Sequence, residues 1–323
     1  MGVEAAQTAP RGWNDLVGSD PETTFFHRTE WAELLIEAGL GAAGLYLYVV
    51  EGGELSVGIP SVVVRRGPFR VVASMPFGTY GGLVLRDGRE SAAAASVVDA
   101  YAALAGRPGV AAAHIMDESG RLPEPPPGFE RHTEQAHRIA LDGGYDEVWS
   151  GFRPSARNKV RKAEKAGVSV RRAASERDFL EYHDMLLECS ERWGETCAFG
   201  RGFFVSLSRL DRDVVQMWLA EQDGEVIGGD LNFVLHGRVM NWGNVSRSSA
   251  RALAPNNLLH AHAMRAGAAS GCTVYDLGSS AGIEGVDAFK SAFGTTVVPI
   301  ERLSHTKPWY RAAARLRGHG GRS

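Results

Sequence analysis

Apolar and polar positions along the chain alternate with the period of a strand, then with that of a helix, and the same succession occurs twice. Residues 45–51 read as a strand, Gly52-Gly53 as a tight turn and 55–64 as a second strand; residues 215–221, Asp223-Gly224 and 226–235 repeat the pattern. Apolar, β-branched runs around a two-residue turn of this kind are a strong hairpin signal, since both turn positions need a positive φ. Each hairpin leads to a third strand (71–75 or 238–245), an alanine-rich helix (91–104 or 257–268) and a short apolar strand (110–116 or 273–277). Matching parts lie about 170 residues apart. The expected fold is α/β (α+β): two tandem lobes, each a mixed twisted sheet flanked by helices. Residues 117–128, rich in proline and glycine, read as a surface loop, and 136–141 as the strand that closes the first lobe. This divides the chain into a first lobe (1–144), a connecting helix (145–169), a second lobe (170–305) and a tail (306–323).

Composition narrows the function classes. A chain of 323 residues is long enough to bury a core in either lobe. Its net charge of -3 provides no global attraction for polyanions, so any phosphate or nucleic-acid site must be a local patch. The N-terminus shows no basic region followed by an apolar stretch, and no run of apolar residues is long enough to span a bilayer. A cytoplasmic location without a transmembrane segment is expected. The three cysteines, Cys189, Cys197 and Cys272, have no CxxC spacing and suit a reducing compartment. His260 and His262, two apart on a helix, face different ways, and no metal spacing appears.

The local patch is in the connecting segment. Residues 154–166 read PSARNKVRKAEKA and are closed by Gly167, with proline in the first turn and glycine past the last. Ala156, Val160 and Ala163 recur at helical spacing and should face protein. Arg157, Arg161 and Lys165 form a basic stripe, with Lys159 and Lys162 beside it and Arg153 just before the helix. Like charges four apart repel. Two readings follow: a helix that awaits a phosphate, which its one-signed character favours, or a solvated face. The tail, with Lys307, Arg311, Arg315, Arg317 and Arg322, reads either as an amphipathic helix meeting tRNA or an anionic membrane surface, or as a frayed terminus.

The element order of the second lobe is similar to that of the GNAT acyltransferases. Residues 160–168 (VRKAEKAGV), 76–85 (PFGTYGGLVL), Pro255-Asn256-Asn257-Leu258-Leu259, 275–278 (YDLG) and 289–294 (FKSAFG) together resemble the FemAB-like transferases, which are tandem GNAT proteins. The resemblance covers roughly residues 25–302. It implies an aminoacyltransferase that moves an amino acid from aminoacyl-tRNA, its donor substrate, onto an amine, with no resident cofactor. The acceptor would be a small molecule or peptide, including phosphorylated ones. Strands 238–245 and 273–277 would splay, freeing backbone N–H groups near Trp242 and Asn244 for a developing oxyanion. Phe289 and Lys290 match the pair that serves the tRNA acceptor end and the reacting ester, and Arg157 or Arg161 the arginine that holds acceptor phosphates. Arg153, Lys162, Asn256 and Tyr275 complete the expected binding set. After Trp31 this chain has Ala32-Glu33, where peptidoglycan-bridge enzymes carry a lysine, which leaves the acceptor open.

Alternatives remain at this level. Asp230 and Asp276 are the carboxylates placed to take a proton from the amine; Asp276 reads equally as a turn cap with Gly278. Phe289 reads as a stacking face or as core. Asn256 and Asn257 read first as helix N-caps. GNAT enzymes that use coenzyme A cradle its pyrophosphate in a glycine-rich loop, matched here by residues 247–252 (RSSARA), with alanine for glycine. An acyl-CoA or acyl-carrier-dependent N-acyltransferase is therefore the second reading, and a non-catalytic GNAT-like protein binding phosphate or RNA the third.

Overall fold

The computed structural model describes residues 2–89 and 91–316, which divide into two compact units, 1–134 with 299–323 and 135–298. The first unit contains β1 (Glu4–Ala6), α1 (Trp13–Ser19), α2 (Thr29–Glu37), β2 (Ala43–Glu51), β3 (Glu54–Arg66), β4 (Phe69–Ser74), β5 (Val84–Leu85), α3 (Ala93–Gly106) and β6 (Val110–Asp117). β2, β3 and β4 are antiparallel neighbours, and β4 pairs in parallel with β6. The β2–β3 turn holds Gly52 and Gly53 at φ of +61° and +88°, as the two-residue loop requires. α3 packs Val97, Val98 and Tyr101 onto Val57, Ile59 and Ile115.

The second unit repeats this order. It contains β7 (Glu130–Ala140), α4 (Tyr145–Gly151), α5 (Pro154–Lys165), β8 (Ser169–Arg172), α6 (Glu176–Trp193), α7 (Arg201–Leu207), β9 (Val215–Gln222), β10 (Glu225–Leu235), β11 (Arg238–Ser246), α8 (Pro255–Ala269), β12 (Val274–Ser279) and α9 (Glu284–Ser291). β9, β10 and β11 are antiparallel neighbours, and β11 pairs in parallel with β12. The duplicated α/β architecture expected from the sequence is therefore present, element by element. α8 covers β9, β10 and β11 together with α4 and α5, while α6 meets β10 and β11.

The closing strands differ from expectation. Residues 136–140 of β7 pair antiparallel with β12, so they complete the second unit instead of the first. The first unit is closed by β13 (Thr296–Thr306), whose residues 301–306 pair antiparallel with β6. Burial explains both placements: Ile139 joins the core of Tyr275 and Leu277, and Leu303 that of Ile115 and Val97. α10 (Pro308–Leu316) belongs to the first unit, whereas Arg317 and Arg322 of the basic tail lie outside the described residues. Among the described residues, no helix is long and apolar enough to cross a membrane.

Candidate active site

The two units treat their parallel strand pair differently. In the first, β4 and β6 remain paired from Arg70 to Ser74, and the Gly81 N–H then donates to the Met116 carbonyl at 2.9 Å. Residues 75–82 thus fold back on the strand end, with Met75 and Phe77 held at φ of +52° and +69°, a conformation bulky side chains rarely adopt. In the second unit β11 and β12 pair only over Arg238–Met240 and Val274–Asp276. Beyond Met240 the strands part, which leaves an opening lined by backbone groups.

A buried polar network lies behind that opening. Asp230 and Asn232 alternate inward on β10, and both are fully buried. Asp230 Oδ1 accepts from Asn241 Nδ2 and Asn244 Nδ2, each at 2.7 Å, and Oδ2 accepts from Asn232 Nδ2 at 2.7 Å. The Tyr275 hydroxyl stands 3.3 Å from Oδ2 and 3.0 Å from His260 Nδ1. Asn241 and Asn244, three apart, would point to opposite faces of a regular strand. They reach one carboxylate because β11 carries a bulge at Trp242: Asn232 pairs with Asn241, but Leu231 with Gly243. The bulge turns Trp242 away, so the expected substrate contact instead packs among Phe199 and Phe203, with ring centroids 4.9 and 5.9 Å off.

The same network leaves acceptors unused. With Asn244 Nδ2 fixed on Asp230, Asn244 Oδ1 is shielded from solvent and without a partner, as is Asn256 Oδ1. Asn256 does not cap α8. The chain enters that helix through Ala254 at φ +57° and Pro255 in the first turn, which puts Asn256 and Asn257 inside the helix. The Tyr182 hydroxyl is also buried and unpartnered, and a Cβ at Gly243 would sit 2.5 Å from it, so only glycine fits there. Burial pushes the Tyr275 and Tyr182 hydroxyls well above the usual phenol range and lowers the pKa of His260, so all three are neutral at pH 7.

Lys290 and Asp276 hold the far side of the opening. Lys290 Nζ donates to the carbonyls of Leu277, Ser279 and Gly278 at 2.6, 2.8 and 3.2 Å. Those carbonyls end β12, just past Asp276, the last residue paired with β11. Burial lowers the Lys290 pKa to about 8, against the pull of Asp276 and Asp287. Asp276 is fully buried, with Oδ1 accepting from the Gly278 N–H at 2.7 Å and Oδ2 from Arg138 Nε at 2.7 Å. Both oxygens are committed, and of the two expected roles this geometry is that of the cap. Phe289 is half-buried; its ring lies 5.6 Å from His260 and 5.3 Å from Phe293.

The basic helix meets this site at one end. Ala156, Val160 and Ala163 are buried, as their spacing predicts, so α5 is part of the second unit's core and not a free connector. The Arg153 N–H donates to the Ala292 carbonyl at 2.9 Å, and the Phe152 and Phe293 rings lie 5.1 Å apart, which joins the start of α5 to the end of α9. Arg153, Lys159, Arg161, Lys162 and Lys165 are exposed. Arg157 is half-buried instead, donating to the Ser150 carbonyl at 3.0 Å, where it caps α4. Arg161 stands over Trp149 and Arg265 over Tyr145, at 5.6 and 4.4 Å from the ring centroids.

The loop matched to the coenzyme A cradle is already occupied. Residues 248–253 form a 3-10 turn, and the Ser248 N–H donates to Glu188 Oε1 at 2.6 Å. That hydrogen bond, with Arg247 and Arg192 nearby, holds the Glu188 carboxyl below its usual range. Arg247 reaches Glu181 at 3.1 Å and Glu188 at 3.8 Å. Sequence reasoning does not single out Glu181, Glu188, His260, Asn232 or Asn241 as site residues; the Asp230-x-Asn232 alternation inside an apolar strand is the signal that marks part of this set.

Comparisons with known proteins bear on the fold. Residues 150–291 match the family described as acetyltransferase (GNAT) domain. The chain is similar to the crystal structure of FemX at 15% identity, covering 97% of this chain and 99% of that one with a TM-score of 0.70. It is also similar to the C-terminal domain of a putative lysylphosphatidylglycerol synthetase from Agrobacterium fabrum, at 12% identity, 94% and 93% coverage and a TM-score of 0.58. A tandem GNAT protein from the clavulanic acid biosynthesis pathway matches at 15% identity, 94% and 98% coverage and a TM-score of 0.55. No curated protein matches the chain.

Proposed function

For a chain with the tandem GNAT fold shared with FemX, carrying a GNAT domain in its second half, we propose an acyltransferase that moves an amino acid from aminoacyl-tRNA to an amine. The observation that carries the choice of donor is the Glu188 carboxylate on the Ser248 N–H, with Glu181 beside it. An anion already takes the amide that a pyrophosphate would need, and Arg247 is held by Glu181 and Glu188 instead of being open to a phosphate. The exposed cations of α5 begin instead beside the helix that carries Phe289 and Lys290, where an RNA end would find charge and an aromatic face. The names of the structural neighbours, FemX and a lysylphosphatidylglycerol synthetase, support the same class.

In the reaction, the acceptor nitrogen attacks the ester carbonyl and a C–N bond forms. The oxyanion is met by backbone N–H groups of β11 beyond Met240, where its pairing with β12 has ended. Collapse breaks the C–O bond to the terminal ribose, whose oxygen leaves with the proton released by the amine. Asn244 Oδ1 accepts an N–H of the incoming amine, and Asp230 holds Asn244 in the orientation this requires. Asp230 thereby acts as a positioning residue. Asp276 and Lys290 order the end of β12, Asp276 through the Gly278 N–H and Lys290 through the carbonyls of Leu277, Gly278 and Ser279. Arg153, Arg161 and Lys162 neutralise phosphates.

Acetyl-CoA titration tests the choice of donor. The wild-type protein is expected not to bind acetyl-CoA saturably, and Glu181→Gln/Glu188→Gln to gain affinity about tenfold or more, as Arg247 and the Ser248 amide are released to hold an anion. Tight, saturable acetyl-CoA binding by the wild type would make this an acyl-CoA enzyme and overturn the reading.

A further inference from the structure

A basic and aromatic corner of the first unit takes no part in the transfer site. The β3–β4 hairpin ends in Arg65-Arg66-Gly67-Pro68-Phe69-Arg70, in which Phe69 is half-buried and the other five are exposed. Arg66 pairs opposite Phe69 and therefore shares its face of the sheet. α10 lies on this tip, its Trp309 ring 4.4 Å from that of Phe69 and still 43% exposed. Lys307 Nζ donates to the Arg107 carbonyl at 3.0 Å, and Arg70 Nη2 to the Pro108 carbonyl at 3.4 Å. Arg107 and Lys307 thus join Arg65, Arg66 and Arg70, and Arg311 follows one turn into α10. Glu130, 3.4 Å from Arg311, offsets part of this charge.

A chain of net charge -3 therefore gathers cations on both faces of a hairpin tip, Arg66 on the face of Phe69 and Arg65 and Arg70 on the other, beside a partly exposed indole. Nucleic acids bind such residues when they line a groove with open ring faces. Here the elements are a hairpin tip and a surface helix, and Trp309 packs against both Phe69 and Tyr310. Apolar side chains at protruding points, ringed by cations, fit the headgroup layer of a membrane. We propose that this corner docks the protein on a bilayer surface containing anionic phospholipid. The arginines meet headgroup phosphates, and Pro68 and Trp309 enter the boundary beneath them. The inference rests on the first unit alone and stands whether or not the donor is tRNA.

Sedimentation of the full chain with phosphatidylcholine vesicles, with and without phosphatidylglycerol, is the test. The wild type is expected to bind only the anionic vesicles and to be released by high salt. Arg66→Gln/Arg70→Gln should weaken that binding about 25-fold, from roughly fivefold for each cation near an anionic surface. Trp309→Ala should weaken it further. Should that variant fail to fold, the exposed arginine pair decides. Equal binding to both vesicles, binding to neither, or an unchanged arginine variant would overturn the proposal. So would an arginine variant that loses tRNA affinity while keeping its vesicle binding, which would assign the corner to RNA.

Discussion

Asp230→Asn is expected to lower acceptor-dependent transfer by about 10²-fold while leaving donor binding close to wild type. The carboxylate receives three amide donors at 2.7 Å with the Tyr275 hydroxyl at 3.3 Å, all in a fully buried setting. An asparagine there turns its own N–H groups towards at least one of those donors. A buried donor without an acceptor costs roughly 1–3 kcal/mol, so either Asn232 or the Asn241–Asn244 pair must turn away, and in both cases the network that fixes Asn244 loosens. With Asn244 no longer fixed, its Oδ1 loses the orientation proposed to meet the amine. Urea unfolding run beside the kinetics separates this from general loss of fold. Tyr275→Phe, which spares the carboxylate and its amides, should cost much less activity. Wild-type turnover in Asp230→Asn would contradict the assigned role.

The second large effect belongs to Lys290. Lys290→Met leaves the carbonyls of Leu277, Gly278 and Ser279 without their donor, removes the charge at the opening, and is expected to lower transfer by about 10²-fold. Its pH dependence has a definite sign. The pKa is lowered to about 8 from an ordinary 10.5, so the ammonium is present below that value and transfer should fall as pH rises through it. Stability moves the other way. Between these two values the unfolded chain binds the proton and the folded chain does not, so this lysine adds stability as pH rises from about 8 towards 10.5. Lys290→Arg should carry the activity limb to higher pH. A profile flat through pH 8 in the wild type would contradict the role of the ammonium.

Local patterns make much of this molecule legible in its sequence. Hairpins around Gly52-Gly53 and Asp223-Gly224, and the buried face of α5, follow from periodicity and turn chemistry that neighbouring residues decide among themselves. Partner choice over long distances is different. Residues 136–140 form a strand as expected, but nothing within them says that they pair with β12, 134 residues further on between Ala140 and Val274. The cap at Asp276 depends on Arg138, equally remote. Trp242 faces away from the opening because of one bulged residue, which reverses the face of everything after it. Asn256 fails as a cap because the left-handed turn at Ala254 moves the helix start forward. Glu188 sits on an unrelated helix and becomes informative only through its hydrogen bond with Ser248.

The measurement closest to the central claim is the affinity of the purified chain for a charged tRNA across a salt series, with Arg153→Ala/Arg161→Ala/Lys162→Ala alongside. Log K is expected to fall steeply with log salt, with a slope shallower in the variant by about 0.7–0.9 for each phosphate that is no longer neutralised. No measurable tRNA affinity, or a slope unchanged when these three cations are removed, would contradict that claim.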